Sequence, residues 1–150
     1  MYTLSQKSLT KLEGLDDRLV KIVCRAITLT SIDFGVICGL RTMKEQEGLV
    51  KAGLSQTLAS KHIDGLAVDL MAYVDGRGCW ELSVYDDIAD AMKKAATEEG
   101  VAIRWGAAWN IDDIRAWDGT MEQAMNHYID ARRLTGRRPF IDGPHFELMD

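Results

Sequence analysis

Apolar residues recur every three or four positions over 15–28, where Leu15, Leu19, Ile22, Val23, Ala26 and Ile27 fall on one stripe behind Asp16 and Asp17. That spacing predicts an amphipathic helix whose first-turn acids suit the positive end of its dipole. The run DFGVICGLRT, 33–42, is apolar with β-branched members and reads as a strand. Thr42 and Glu45 then form a T-x-x-E capping box for a short helix, with Gly53 as its stop. GLAVDLMAYV, 65–74, is a second strand. Residues 85–100 follow as a helix with Ile88, Met92 and Ala95 inward and Gly100 at its end. A short strand is expected at 101–106, and a helix over 119–134 entered through Asp118-Gly119-Thr120. In 140–148 a turn at Gly143-Pro144 leads into a closing strand. Helices and strands mix without regular βαβ alternation, so the expected class is α+β with a mainly antiparallel sheet.

The two-residue period of a strand assigns side chains to faces. In 65–74, Leu66, Val68 and Leu70 point to a core, while Gly65, Ala67, Asp69 and Met71 point away. Asp69 therefore stands among small neighbours that leave space beside its carboxylate, and His62 can fold back over that space from the preceding turn. The closing strand repeats the pattern, with Phe146 and Leu148 on one side and His145 and Glu147 on the other. In the first strand Gly35, Ile37, Gly39 and Arg41 share a face. Three strands so arranged can bring His62, Asp69, His145 and Arg41 into one groove, and a metal centre is one outcome. Packing roles for lone histidines and a satisfied buried aspartate are the other, and spacing alone leaves both open.

With 150 residues the chain has room for one hydrophobic core, and no Pro-, Gly- or Ser-rich stretch marks a linker, so a single domain over 1–150 is expected. The net charge of −5 argues against nucleic acid as a partner. Arg132, Arg133, Arg137 and Arg138 are the one basic concentration; a solvated helix end is the ordinary reading, contact with an anionic polymer the sharper one. Cys24, Cys38 and Cys79 are odd in number and lack CxxC spacing, which points to buried free thiols and a reducing compartment. No stretch has the length and apolarity of a signal peptide or a membrane span. His127 reads as a structural or surface residue, Trp105 as core and Trp109 as a groove wall able to touch substrate.

The stretch S-K-H-I-D-G-L-A-V-D-L, 60–70, resembles the S-x-H-x-x-G-x-A-x-D signature of the M15 family of metallopeptidases. D-G-P-H-F-E-L, 142–148, is similar to that family's second signature. C-G-L-R-T, 38–42, with Gln46 and Gly53 after it, resembles the family's arginine-bearing region. W-G-A-A-W, 105–109, is similar to a segment of its phage L-alanyl-D-glutamate peptidase branch. The matches run in family order from about residue 8 to 148. Where that branch commonly has a short link, residues 110–141 insert a helix-rich piece.

The resemblance implies a Hedgehog/D-Ala-D-Ala-peptidase-like fold and one zinc ion held by His62, Asp69 and His145. It implies Asp142 as general base, Arg41 as stabiliser of the polarised carbonyl oxygen and Ser60 as a substrate-side hydrogen-bonding residue. The activity implied is an endopeptidase cutting the L-alanyl-D-glutamate bond of peptidoglycan stem peptides during phage-induced lysis. A D-alanyl-D-alanine carboxypeptidase is the alternative, and a non-catalytic metal-bearing binding module a further one. A monomer is expected, made in the host cytoplasm and reaching the wall through a holin. Tyr128, Arg132 and Arg133, at i, i+4 and i+5 of the 119–134 helix, are candidates to hold acidic groups of the stem peptide.

Overall fold

The apolar stripe becomes the buried face of α2 (Asp17–Leu29), capped by Asp16, whose carboxylate accepts from the Arg18 amide. The computed structural model describes residues 1–55 and 57–149. α2 packs against α4 (Leu82–Glu99), which Gly100 ends in a left-handed conformation, φ 69°. α3 (Met43–Lys51) has the complete Thr42–Glu45 capping box.

Among the described residues the sheet holds β1 (Asp33–Cys38), β2 (Ala67–Val74), β3 (Arg77–Cys79), β4 (Ile103–Trp105) and β5 (His145–Leu148). The order is β1-β2-β5-β4, with every pairing antiparallel and β3 joined to the far end of β2. The expected α+β class with an antiparallel sheet is what forms. Val68, Leu70 and Ala72 of β2 and Phe146 and Leu148 of β5 are buried in one core with the inner faces of α2 and α4. Alternation leaves Asp69, His145 and Glu147 on the opposite face. Register completes the placement: Asp69 lies across from Cys38 on β1 and from His145 on β5.

Several boundaries differ from expectation. β1 stops at Cys38, after a register shift between Val36 and Cys38, so Gly39–Arg41 leave the sheet and Arg41 is not a strand residue. The cause is tertiary. Gly39 passes so close to the end of α1 (Gln6–Lys11) that a Cβ there would lie 2.1 Å from the Lys11 carbonyl oxygen. Helix α1 itself was not expected; Ser8 secures it by accepting from the Val36 amide at 3.0 Å. The β2–β3 hairpin was also not expected, although its turn residues, Asp75 (φ 53°) and Gly76 (φ 75°), form the Asp-Gly pair such turns favour. The cysteines are free, but Cys24 is exposed and Cys38 and Cys79 are half-buried, which corrects the reading of all three as buried.

Segment 110–141 contains a 3-10 turn (Ile114–Ala116) and α5 (Met121–Leu134), opened by a Thr120–Gln123 capping box. Met121, Ala124, Met125 and Tyr128 pack it onto the common core, α5 lying against α4. No helix among the described residues is long and apolar enough to cross a membrane.

Asp86 on α4 is 5% exposed. Burial, reinforced by Asp87, Glu122 and Asp90, pushes its pKa up to about 6 from an ordinary 3.8. The folded state therefore keeps this proton longer than the unfolded chain, so the contribution of this group to stability is most favourable below about pH 4 and is lost as pH rises towards 6. We predict that Asp86→Asn raises stability at pH 7–8 by on the order of 2 kcal/mol and flattens that slope. Denaturant melts of both forms at pH 4 and pH 8 check this; an equal difference at the two pH values would refute it.

Candidate active site

His62 leaves the turn before β2 with its amide donating to Ser60 Oγ at 3.2 Å and its carbonyl accepting from the Arg41 amide at 3.0 Å. Its ring is buried, and Nδ1 lies 2.9 Å from the Gly39 carbonyl oxygen. A carbonyl only accepts, so Nδ1 carries the hydrogen. Nε2 is thereby turned to Asp69 Oδ2, at 3.3 Å. The loss of strand geometry at Gly39 is what puts that carbonyl in reach.

His145 is the mirror of this arrangement. Its Nε2 lies 2.9 Å from Glu147 Oε1, and its Nδ1 3.1 Å from the other Asp69 oxygen, Oδ1. The two rings meet edge to face with centroids 5.2 Å apart. One carboxylate thus faces two imidazole nitrogens, each ring held from behind by an acceptor. Burial favours neutral rings, but hydrogen bonds outweigh it: with Asp69 and Cys38 they raise His62 to about 10, and with Asp69 and Glu147 they raise His145 to about 9. Burial likewise opposes charge on Asp69, yet the two histidines hold its pKa well below the usual range. The floor of the site therefore demands positive charge. Two ring nitrogens and a carboxylate oxygen are also the donor set of a three-ligand zinc site, and a divalent cation would take the place of the two protons facing Asp69. The donors present fit a metal. Asp69 belongs to two metal-capable clusters, one with Cys38 and His62, the other with Asp142 and His145.

Arg41 reaches the same floor from the loop after β1. Its Nη2 lies 3.7 Å from Asp69 Oδ2 and donates to Cys38 Sγ at 3.1 Å, while Nη1 donates to Gln46 Oε1. Gln46 is fully buried on α3 and passes its amide hydrogens to Ser55 Oγ and the Thr57 carbonyl, tying Arg41 to those two residues. Asp142 sits in the turn before β5, its carbonyl accepting from the His145 amide at 3.1 Å. Burial and the nearby Asp69 carboxylate push its pKa up. Gly106 makes room for that turn: a Cβ there would stand 2.2 Å from the Asp142 carbonyl oxygen and 3.0 Å from His145 Cβ. The Trp-Gly segment and the second histidine signature are therefore complementary surfaces.

These residues open into a groove of about 640 Å³ lined by Arg41, Ser60, His62, Asp69, Trp109, Asp142, His145 and Glu147, among others. All seven candidate site residues line it. Trp109 lies over the His145 ring, centroids 5.4 Å apart, whereas Trp105 is core, its Nε1 donating to the Gly143 carbonyl at 2.8 Å. His127 is exposed beside Trp117. A cation-seeking floor with a further carboxylate beside it fits the class of one-metal hydrolases.

The chain belongs to the phage L-alanyl-D-glutamate peptidase family, whose model it matches over residues 1–149. It is 30% identical to the L-alanyl-D-glutamate peptidase of Escherichia phage T5 over 152 residues, covering 99% of this chain and 98% of that one. Among solved structures it resembles the Serratia marcescens L-Ala D-Glu endopeptidase ChiX, with a TM-score of 0.71 and 33% identity over 95% of this chain and 86% of that one.

Sequence reasoning did not identify the supports of the site. Glu147 orients His145 and pairs with Lys61 Nζ at 3.3 Å. The same ammonium donates to the Leu148 carbonyl. The signal was present, because His145 and Glu147 are two apart on a strand and must share a face. Cys38 beside His62 and Gln46 behind Arg41 have no comparable local signature.

A partner that orients a metal-ligating histidine typically contributes 10–100-fold to metal affinity. We predict that Glu147→Gln weakens binding of a divalent cation at this site by about that factor while the far-ultraviolet circular dichroism is unchanged. Competition with a chromophoric chelator measures it, and an unaltered affinity would show that His145 needs no such support.

Proposed function

We propose that this protein is a zinc-dependent endopeptidase that cuts the L-alanyl-D-glutamate bond of bacterial cell-wall stem peptides. The observation that carries the reading is the convergence of His62 Nε2 and His145 Nδ1 on Asp69, with Asp142 in the same groove. Membership of the peptidase family supports the choice of bond. The one continuous core, to which Ile114, Met121, Ala124 and Tyr128 of segment 110–141 contribute, supports reading the chain as a single catalytic domain.

In this reading His62, Asp69 and His145 hold one zinc ion. Bound there, zinc supplies Lewis-acid polarisation and a water of lowered pKa. Asp142 takes the proton of the attacking water and delivers it to the leaving amine nitrogen. Burial and the Asp69 carboxylate raise its pKa above the ordinary carboxylate value, which makes it a stronger base than an exposed aspartate. Arg41 faces the carbonyl oxygen with a charge that does not titrate away, held in aim by Gln46 and Cys38. Ser60 and Trp109 contact the peptide along the groove. The protein acts as a monomer on the wall, after holin-dependent release from the host cytoplasm.

Digestion of purified sacculi tests this by mass spectrometry. The expected products are peptides beginning with D-glutamate, with L-alanine left on the glycan; chelation abolishes the reaction and zinc restores it. Asp142→Asn should cost about 10²–10⁴ in rate at unchanged zinc content. Free D-alanine as the product would instead assign a carboxypeptidase, and bound metal without any cleavage a binding module.

A further inference from the structure

Beside the groove lies a second cavity of about 290 Å³, lined by Arg104, Trp109, Asn110, Tyr128, Ala131 and Arg132. We propose that it is the subsite for a carboxylate on the leaving side of the cut bond, with Arg104 and Arg132 as the residues that select an acidic substrate. The proposal rests on the L-alanyl-D-glutamate reading and deepens it.

Continuity comes first. Arg104 and Trp109 line both cavities, so a peptide lying over His145 and Trp109 continues into the second without leaving the surface. Charge is the second observation. Two guanidiniums line this space and no carboxylate does. Arg132 donates from Nε and Nη2 to the Arg138 carbonyl, at 3.3 and 3.1 Å, and forms no ion pair among the described residues. Arg104 donates to the Trp109 carbonyl and lies over the indole, 5.3 Å from its centroid. Among the described residues its one ion-pair contact is with Asp112, 3.9 Å away with a side chain 81% exposed. Apart from the exposed Asp112, neither guanidinium pairs with a carboxylate among the described residues, so an anion from outside can be held between them. The shared wall also contains an unmet donor, because Trp109 Nε1 is buried with no acceptor.

The substrate supplies the matching groups. In an L-alanyl-D-glutamate bond the glutamate amine is consumed by the bond, and one of its two carboxyls continues the chain. The other stays free, close to the scissile nitrogen, and any acid further along the peptide lies on the same side. The L-alanine side offers none from its own residue, whose carboxyl is the carbonyl attacked. The expected pair of Arg132 and Arg133 is corrected here: Arg133 is exposed and outside the cavity, and Arg104 of β4 faces Arg132 instead.

The test compares synthetic stem peptides with the glutamate carboxyl free or amidated, and with the acid of the third residue free or amidated, on wild type, Arg132→Gln, Arg132→Lys and Arg104→Gln. The wild type should prefer the free acid by about tenfold to a hundredfold, and the position at which amidation matters identifies the carboxylate seated. Arg132→Gln should raise KM for the acid by a similar factor at nearly constant kcat and erase the preference; Arg132→Lys should keep part of it. Binding of the D-glutamate-headed product peptide, followed by calorimetry, should weaken in parallel. The subsite proposal is overturned if wild type treats acid and amide alike, or if the Arg132 and Arg104 variants keep the wild-type preference. Failure of wild type to cut any of these peptides at the L-alanyl-D-glutamate bond would instead sink the proposed function itself.

Discussion

A carboxylate on an inner strand, under two imidazoles and a guanidinium, is the constraint around which this molecule is organised. Asp69 could not stay ionised at its depth without compensation, since burying an unpaired charge costs several kcal/mol. Each neighbouring element contributes part of that compensation. β5 brings His145 directly across the ladder, the preceding turn brings His62, and the loop leaving β1 brings Arg41. The sheet register and the electrostatics of the site are thus one problem with one solution. A one-residue slip of β5 against β2 would turn His145 into the core and leave Asp69 facing Pro144 or Phe146.

The groove separates charge along its length. Asp69, Asp142 and Glu147 gather at the floor, where a cation belongs, while Arg104 and Arg132 stand towards the second cavity, where an acid belongs. Trp109 lies between the two regions, packed on His145 on one side and touched by Arg104 on the other. Metal affinity and substrate selection can then be set by different residues of one continuous surface.

Much of this was legible in the chain. The α2 stripe, the Thr42 capping box, the Gly100 stop and the alternation around Asp69 are local patterns with local causes, and the structure reproduces them. The convergence of His62, Asp69 and His145 was permitted by spacing and made specific by resemblance to a family. What stayed hidden depends on contacts between distant segments. Nothing in CGLRT announces that Gly39 must clear the Lys11 carbonyl, so the pattern predicts a longer strand, with Arg41 on its face, than the one that forms. Helix α1 is short and draws its support from Val36, far along the chain. Arg132 and Arg133 are neighbours on α5, and the position of β4 puts Arg132 rather than Arg133 in the second cavity.

β5 lies between β2 and β4 although it comes last in sequence among the described strands. It supplies a ring for Asp69, the glutamate that aims that ring, and both inner edges of the pairing. A chain folded only through β4 would have His62 beside Asp69 but an unfilled gap in the middle of its sheet. Hydrolytic power and structural completion therefore arrive together, and no half-assembled form is armed.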